Sequence, residues 1–501
     1  MNTIFEKMKS KFPRILFFWT IFVALLVFFS VLYPFPVIDG DDINYITNMR
    51  PAFPVPGMWN PTRVMPELLM PICGNFAGVM AAIGFGSFIE CQVFVVAAVL
   101  GLFICFYVYT FQLLLKKRFL MSEFSSLCFA AIFLLLHFLI FRVEDTNNQY
   151  MFRAADTCCI FNYTIPAILN CSIIMLLMSE QDEKALFTMR TPFKSSMLVL
   201  AVYMAVLSHL YPSTILAIFC GLSILFRFLK SNKKNLFGFI KANSVHFSIL
   251  TLWVFVSLWE AFGNRAETFY RTDNGGFGNL LLSTQTLIST LSNMSIMYKL
   301  LILAVTIATV FTFLFCSSKA ERKPFALNLI LLLCIGITSA ISIIVLSTIT
   351  QPNYNTRPEV IFPLVFIEFL LLMICAEFVL RHFKFAELLL PLAVLIVFSC
   401  IGTEARTFRG SNLLNIDSNV AFKMQNNICN QIVAADEAGL DEVTIYVSLS
   451  THDYWANWPH NLDTGDTLSK FFYKFGIIDN KIDVTMIPSD SFNEQYGIIF
   501  K

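Results

Sequence analysis

Apolar runs long enough to cross a membrane recur in this chain from residue 15 to residue 401, and no other feature restricts its fold as much. A bilayer core requires roughly 20 apolar residues per helix. Eleven runs come close enough to that length to be read as spans: 15–32, 93–115, 119–141, 161–178, 196–209, 213–229, 244–262, 300–316, 325–349, 360–380 and 385–401. They account for a composition that is 57% hydrophobic and only 14% charged, with 54 Phe. A soluble chain carries charge at about a quarter of its positions. The expected fold is therefore mainly α, a polytopic membrane protein with about 11 transmembrane helices. The first run follows Lys7, Lys9, Lys11 and Arg14, exceeds a signal-peptide core and has no small-x-small site after it, so it is expected to stay as the first helix. Two further stretches, 64–85 and 279–295, are broken by Pro and Gly or rich in Ser and Thr, and are expected to lie along the interface or dip partly into it.

The distribution of charge gives these spans a direction. With the N-terminus inside, the inner segments hold twenty basic residues and the outer loops of the membrane domain hold seven, the positive-inside pattern. Counting 64–85 as a span would move Lys116, Lys117 and Arg118 to the outside, so it is not counted. Residues 1–403 are expected to form the membrane domain, with the N-terminus cytoplasmic. Residues 404–501 are polar and carry no span. They read as a helix at 416–438, a strand at 443–449, a helix at 467–475 and a strand at 482–487, a small α/β domain on the outer, periplasmic side. The net charge of +1 says nothing about nucleic acid, and no nucleic-acid partner is expected of such a membrane chain. The thirteen Cys lie mostly inside apolar runs, where Cys acts as a small hydrophobe. Cys158 and Cys159 are adjacent and Cys429 stands alone, so neither a disulfide framework nor zinc spacing is legible.

The first outer loop concentrates chemistry. Asp39, Asp41 and Asp42 place three carboxylates within four residues directly after the first helix. Close carboxylates bind a cation or share a proton, which raises the pKa of one of them. Such a group suits general-base work on a hydroxyl; a solvated acidic turn with Asp42 as N-cap is the simpler alternative. The seven basic residues of the outer loops are all Arg, and the planar guanidinium fork matches phosphate. Arg63 and Arg357 sit in short loops beside helix ends and are the first candidates for a phosphate. Arg142 and Arg153 are further ones, although both could pair with Glu144, Asp145 and Asp156 as a structural network. Glu90, Glu260 and Glu377 lie near span ends, where a carboxylate can be functional or simply reach the interface. His209 and Tyr211 in a tight hairpin are candidates for touching a phosphate or for packing. In the outer domain, residues 452–460 are dense in aromatics, and Trp455 and Trp458 could stack on sugar rings or anchor the domain to lipid.

The Asp41–Asp42 pair after the first helix, the Trp59–Asn60–Pro61–Thr62–Arg63 stretch and the Phe471–Phe472–Tyr473–Lys474–Phe475–Gly476–Ile477 segment carry a resemblance to GT-C superfamily membrane glycosyltransferases. Within that superfamily the layout is similar to the phage-type serotype-converting O-antigen glucosyltransferases. The resemblance implies an integral enzyme of the bacterial inner membrane. It would move a hexose, glucose in that group, from a polyprenyl-phosphate donor to O-antigen glycan of lipopolysaccharide on the periplasmic side. It implies Asp41 or Asp42 as catalytic base, Arg63, Arg357, Arg142 and Arg153 as donor-phosphate ligands, and a divalent metal ion as the one candidate cofactor. No Gly-rich phosphate loop stands on the inner side, as a lipid-borne sugar would allow. The rival expectations are a transporter or flippase of lipid-linked saccharides, and an O-antigen polymerase.

Overall fold

The computed structural model describes residues 2–498 apart from 38–39, 56–58, 140, 142–148, 155, 181–183, 188–190, 232–234, 263–275, 405–416 and 450–463. Among the described residues, ten helices are long and apolar enough to cross a membrane. Nine coincide with expected spans. The expected spans 119–141 and 196–209 are shorter apolar helices, Glu123–Leu136 and Pro192–Val206. The tenth long helix, Pro61–Ala82, falls on the stretch expected to lie along the interface.

The chain enters through α1 (Asn2–Val27), extended by a wide π turn at Phe28–Leu32. A short helix, α2 (Gly40–Thr47), is followed by α3 (Val64–Ala82) and the long α4 (Phe88–Arg118). Helix α4 starts sharply because Ser87 and Glu90 cap it reciprocally, Ser87 N–H donating to Glu90 Oε2 at 2.9 Å and Glu90 N–H to Ser87 Oγ at 3.2 Å. That capping box is the role the structure gives Glu90. Helix α4 runs antiparallel to α1: the Cys105 thiol reaches the Phe18 carbonyl, while Gly101 faces Phe22 and Leu25. After α5 (Glu123–Leu136), α6 (Thr157–Ser179) fills the centre of the bundle. Its apolar window is 94% buried against 11% for α1, which leaves α1 at a lipid-facing edge. Between α4 and α5 lies a fully buried histidine, His137. Its Nδ1–H donates to Phe133 O at 2.7 Å and its Nε2 accepts from Tyr107 Oη at 3.2 Å, so its polar needs are met locally.

The helices that follow are α7 (Pro192–Val206), α8 (Leu210–Lys230), α9 (Ser244–Phe262), α10 (Gly276–Ser292), α11 (Ile296–Cys316), α12 (Lys319–Ile349), α13 (Pro358–His382) and α14 (Lys384–Ile401), all but α7 and α10 long and apolar enough to cross a membrane. Helix α10 covers the stretch expected at the interface. It lies along α12, with Ser283 Oγ donating to Ile344 O at 3.2 Å, and Asn355 in the turn after α12 donates from Nδ2 to Ser283 O at 2.9 Å.

The C-terminal unit is a helix, strand, helix, strand, helix series: α15 (Ser418–Glu437), β1 (Glu442–Ser448), α16 (Thr464–Phe475), β2 (Asp483–Ser489) and α17 (Asp490–Tyr496). The strands pair in parallel from Glu442–Asp483 to Ser448–Ser489. A parallel pair needs a crossover connection, and α16 lies within it. Gly465 is required there, since a Cβ would meet the Val484 side chain at 2.6 Å.

This unit docks on the bundle through aromatic residues. Phe88, at the start of α4, meets Phe471 and Phe472 with ring centroids 5.2 and 5.3 Å apart, and Phe475 lies over Gly78 of α3. Helix α3 begins beside α2 and passes Phe475 before its end, so both halves of it face the end of the bundle that carries the C-terminal unit. Its length and hydropathy meet the requirement for a crossing, which differs from the interfacial place expected from the sequence. The opposite end is the basic one. Helix α4 delivers Lys116, Lys117 and Arg118 there, 31 residues and about 45 Å from Phe88 at 1.5 Å per residue.

Candidate functional site

The site forms where α2, the start of α3, the start of α6 and the start of α13 meet, at the domain end of the bundle. Helix α2 begins at Gly40, so Asp42 is its third residue and not its N-cap. Asp41 points outward and is exposed, whereas Asp42 is fully buried. The Asp42 carboxylate accepts the Cys158 N–H at 2.5 Å across 116 residues of sequence. Asp156 caps the same helix start and accepts the Cys159 N–H at 2.6 Å. Two carboxylates therefore meet the first free N–H groups of α6, where the helix dipole favours negative charge. One oxygen of each, together with Cys158 Sγ, lies within 4.8 Å of the others, close enough to share one cation. Burial pushes the Asp156 carboxyl above its ordinary range, and the charge of Arg357 pulls it partway back.

Arg63 stands just before α3. Asn60 Oδ1 accepts from Thr62 N–H at 3.1 Å and Pro61 opens the first turn, so the Trp59–Arg63 stretch is a helix start. Thr62 Oγ1 also donates to Glu260 Oε2 at 2.8 Å, which gives Glu260 a bracing contact between α9 and this turn. The Arg63 guanidinium lies over the Tyr45 ring at 5.5 Å and donates from Nη1 to its oxygen at 2.5 Å. Burial raises the Tyr45 phenol above its ordinary value against the opposing Arg63 charge. Arg63 Nε is buried and has no partner among the described residues.

Arg357 is held differently. Its Nε and Nη2 both donate to Glu359 Oε1 at 2.7 Å, and Nη2 also reaches Cys159 Sγ at 2.8 Å. Its plane is flanked by Tyr163 and Tyr354, 5.4 and 5.2 Å from the ring centres. Glu359 is fully buried, and its Oε2 has no partner among the described residues. Tyr163 and Asn162 lie in a π turn, Ile160–Thr164, that interrupts α6 one turn below its start. Such bulges re-aim side chains and recur at functional sites. Tyr163 in turn touches His209, whose Nε2 is 3.4 Å from its oxygen, and His209 stacks on Tyr211 at 5.5 Å.

The structure thus brings Asp42, Arg63 and Arg357 into one neighbourhood, with His209 and Tyr211 one layer behind. Arg153 is buried beside Tyr150 in the approach to α6. Glu377 pairs with Arg381 at 2.6 Å at the basic end, away from the site. Asp39, Arg142, Trp455 and Trp458 lie outside the described residues. Sequence reasoning gave no catalytic or binding role to Asp156, Cys158, Cys159, Tyr163 or Glu359. The available signals were an N-cap Asp ahead of an apolar run and a Glu two residues after Arg357. Comparison with family models, with curated proteins and with solved structures returns no match to this chain. What fold and site define together is a multi-pass helical membrane protein with a buried, mixed-charge site under a small α/β unit.

Proposed function

We propose that this chain is an integral-membrane glycosyltransferase of the GT-C type. Its donor is a hexose on polyprenyl phosphate, glucose by resemblance, and its acceptor is O-antigen glycan at the periplasmic face of the bacterial inner membrane. The observation that carries this reading is the meeting of a buried carboxylate, Asp42, with two Arg at one end of the bundle. Exposed Asp41 lacks that setting, which favours Asp42 as the base. In the proposed step Asp42 takes the proton of the acceptor hydroxyl as its oxygen bonds to the anomeric carbon. The bond from that carbon to the phosphate oxygen breaks, and the lipid phosphate leaves with the electron pair. Arg63 has an unpartnered Nε edge to offer that phosphate, whereas Arg357 is already engaged by Glu359 and Cys159. Fixed donors aimed at developing charge are a large source of rate enhancement.

The test is transfer by purified protein in detergent, given lipid-phosphate glucose and acceptor glycan. An enzyme forms the glycosidic bond with no membrane between compartments, and Arg63→Lys, which keeps charge but loses the fork, forms it more slowly. A transporter or flippase makes no product there, and a polymerase extends the glycan without a monosaccharide donor. No product from folded protein across a range of sugar donors and acceptors overturns the proposal.

A further inference from the structure

We infer that Asp42, Asp156 and Cys158 form a binding site for a thiophilic divalent cation of the zinc class, and that an ion bound there blocks the site. The binding part stands on geometry alone; the blocking part rests on Asp42 acting as proposed above. The three donor atoms lie within 4.8 Å of one another. Around one tetrahedral zinc-class ion, oxygen and sulfur donors sit about 3.3–3.8 Å apart, so side-chain adjustments of roughly an ångström or two close the set. A second observation points to the same place. Asn162, only 5% exposed, turns its carboxamide toward Cys158, with Nδ2 2.9 Å from Sγ, and its buried Oδ1 has no partner among the described residues. The same carboxamide nitrogen also donates to the Cys158 carbonyl at 2.9 Å, so one end of Asn162 is fixed at the cluster while its buried oxygen is left unsatisfied among the described residues.

The donor set decides the class of ion. Magnesium and calcium take oxygen ligands, and a thiolate selects zinc and softer ions. Binding removes the Cys158 proton to solvent, which makes affinity rise with pH until the thiol is fully ionised. Two carboxylates and a thiolate bring three negative charges, which the divalent ion and the nearby Arg63 and Arg357 offset. An ion in this position holds Asp42 as a ligand, so its carboxylate cannot accept the acceptor proton.

Full-length protein in detergent, titrated with cobalt(II) as an optical stand-in for zinc, tests the site directly. We expect a near-ultraviolet thiolate-to-cobalt charge-transfer band that saturates at one equivalent. Zinc displaces it, and an excess of magnesium does not. Cys158→Ser loses the band and binds zinc at least about tenfold more weakly, while Cys429→Ser retains both. Asp156→Asn keeps an acceptor for the Cys159 N–H, so it should fold, and it too should bind zinc more weakly. Absence of the band, its persistence in Cys158→Ser, or unchanged zinc affinity in folded Asp156→Asn overturns the site. Zinc should then inhibit transfer by the wild-type protein at the concentrations that fill the site; full transfer with the site filled overturns the block. If no transfer occurs even without metal, the glycosyltransferase reading fails and the binding result stands by itself.

Discussion

At the basic end of the bundle Lys116 pairs with Glu123 and Lys117 with Glu180, with side chains 20–41% exposed. At the domain end Arg357 pairs with a Glu359 that is fully buried, and the second oxygen of that carboxylate is left without a partner among the described residues. Both ends hold acids beside bases, yet the physics differs. Exposed pairs keep much of their hydration, are screened by salt and each contribute little. Buried charges lose hydration worth several kcal/mol per ion, and pairing returns only part of it. The Lys116 and Lys117 pairs are thus explained by helix termini meeting water, and the one buried carboxylate named at that end, Glu377, has a half-exposed partner in Arg381. The domain end retains costly charge that packing alone does not call for, which is what the proposed catalytic role would require.

The largest expected effect that could break this contrast is at Asp42. Asp42→Asn should lower transfer by about 10²–10⁴-fold, the usual contribution of a general base, with normal abundance in the membrane. Asp41→Asn, altered on an exposed side chain, should stay within a few-fold. Equal rates for Asp42→Asn and wild type would make the buried carboxylate a helix-capping device. Next in size, Arg357→Ala leaves Glu359 buried and uncompensated. It should cost about 3–5 kcal/mol, read as a lowered unfolding midpoint in detergent, and adding Glu359→Gln should recover part of the loss. A third change acts through the backbone. A Cβ at Gly74 would overlap the Ile46 side chain and lie 2.9 Å from the Ile46 carbonyl oxygen, so Gly74→Ala pushes on the helix that carries Asp42. Overpacking of this kind costs about 1–3 kcal/mol and should reduce transfer beyond its effect on folded protein. The smallest effect belongs to the basic end: Lys117→Ala should shift stability by less than about 1 kcal/mol, less still at high salt, and leave transfer unchanged.

Parts of the site were legible before the fold was known. Asp42, Arg63 and Arg357 stood out because carboxylates and guanidinium groups next to apolar runs are rare and each has few structural uses. Asp156 was visible only as one member of a charged loop, and its pairing with Asp42 spans more than a hundred residues. Cys158 and Cys159 looked like small hydrophobes because most Cys in such a chain are. The spans followed from hydropathy, which is local and additive along the chain. Helix α3 (Val64–Ala82) shows the limit of that argument: its stretch reads as interfacial, yet the helix is long and apolar enough to cross, and its contacts with α2 and Phe475 were not legible in the sequence.

By itself, the sequence determined a helical membrane protein, nine of its ten long apolar helices among the described residues, a polar α/β unit at its C-terminus, and the charge asymmetry along the chain. These follow from composition within windows of about twenty residues, the length over which a bilayer acts on a chain. Tertiary structure decided which of two neighbouring aspartates is buried, which arginine is already paired and which keeps a free edge. It also decided that two carboxylates and a thiol meet at one helix start. Each of those outcomes depends on where distant helix ends come together, and a helix turned by one residue, 100°, would have buried a different side chain.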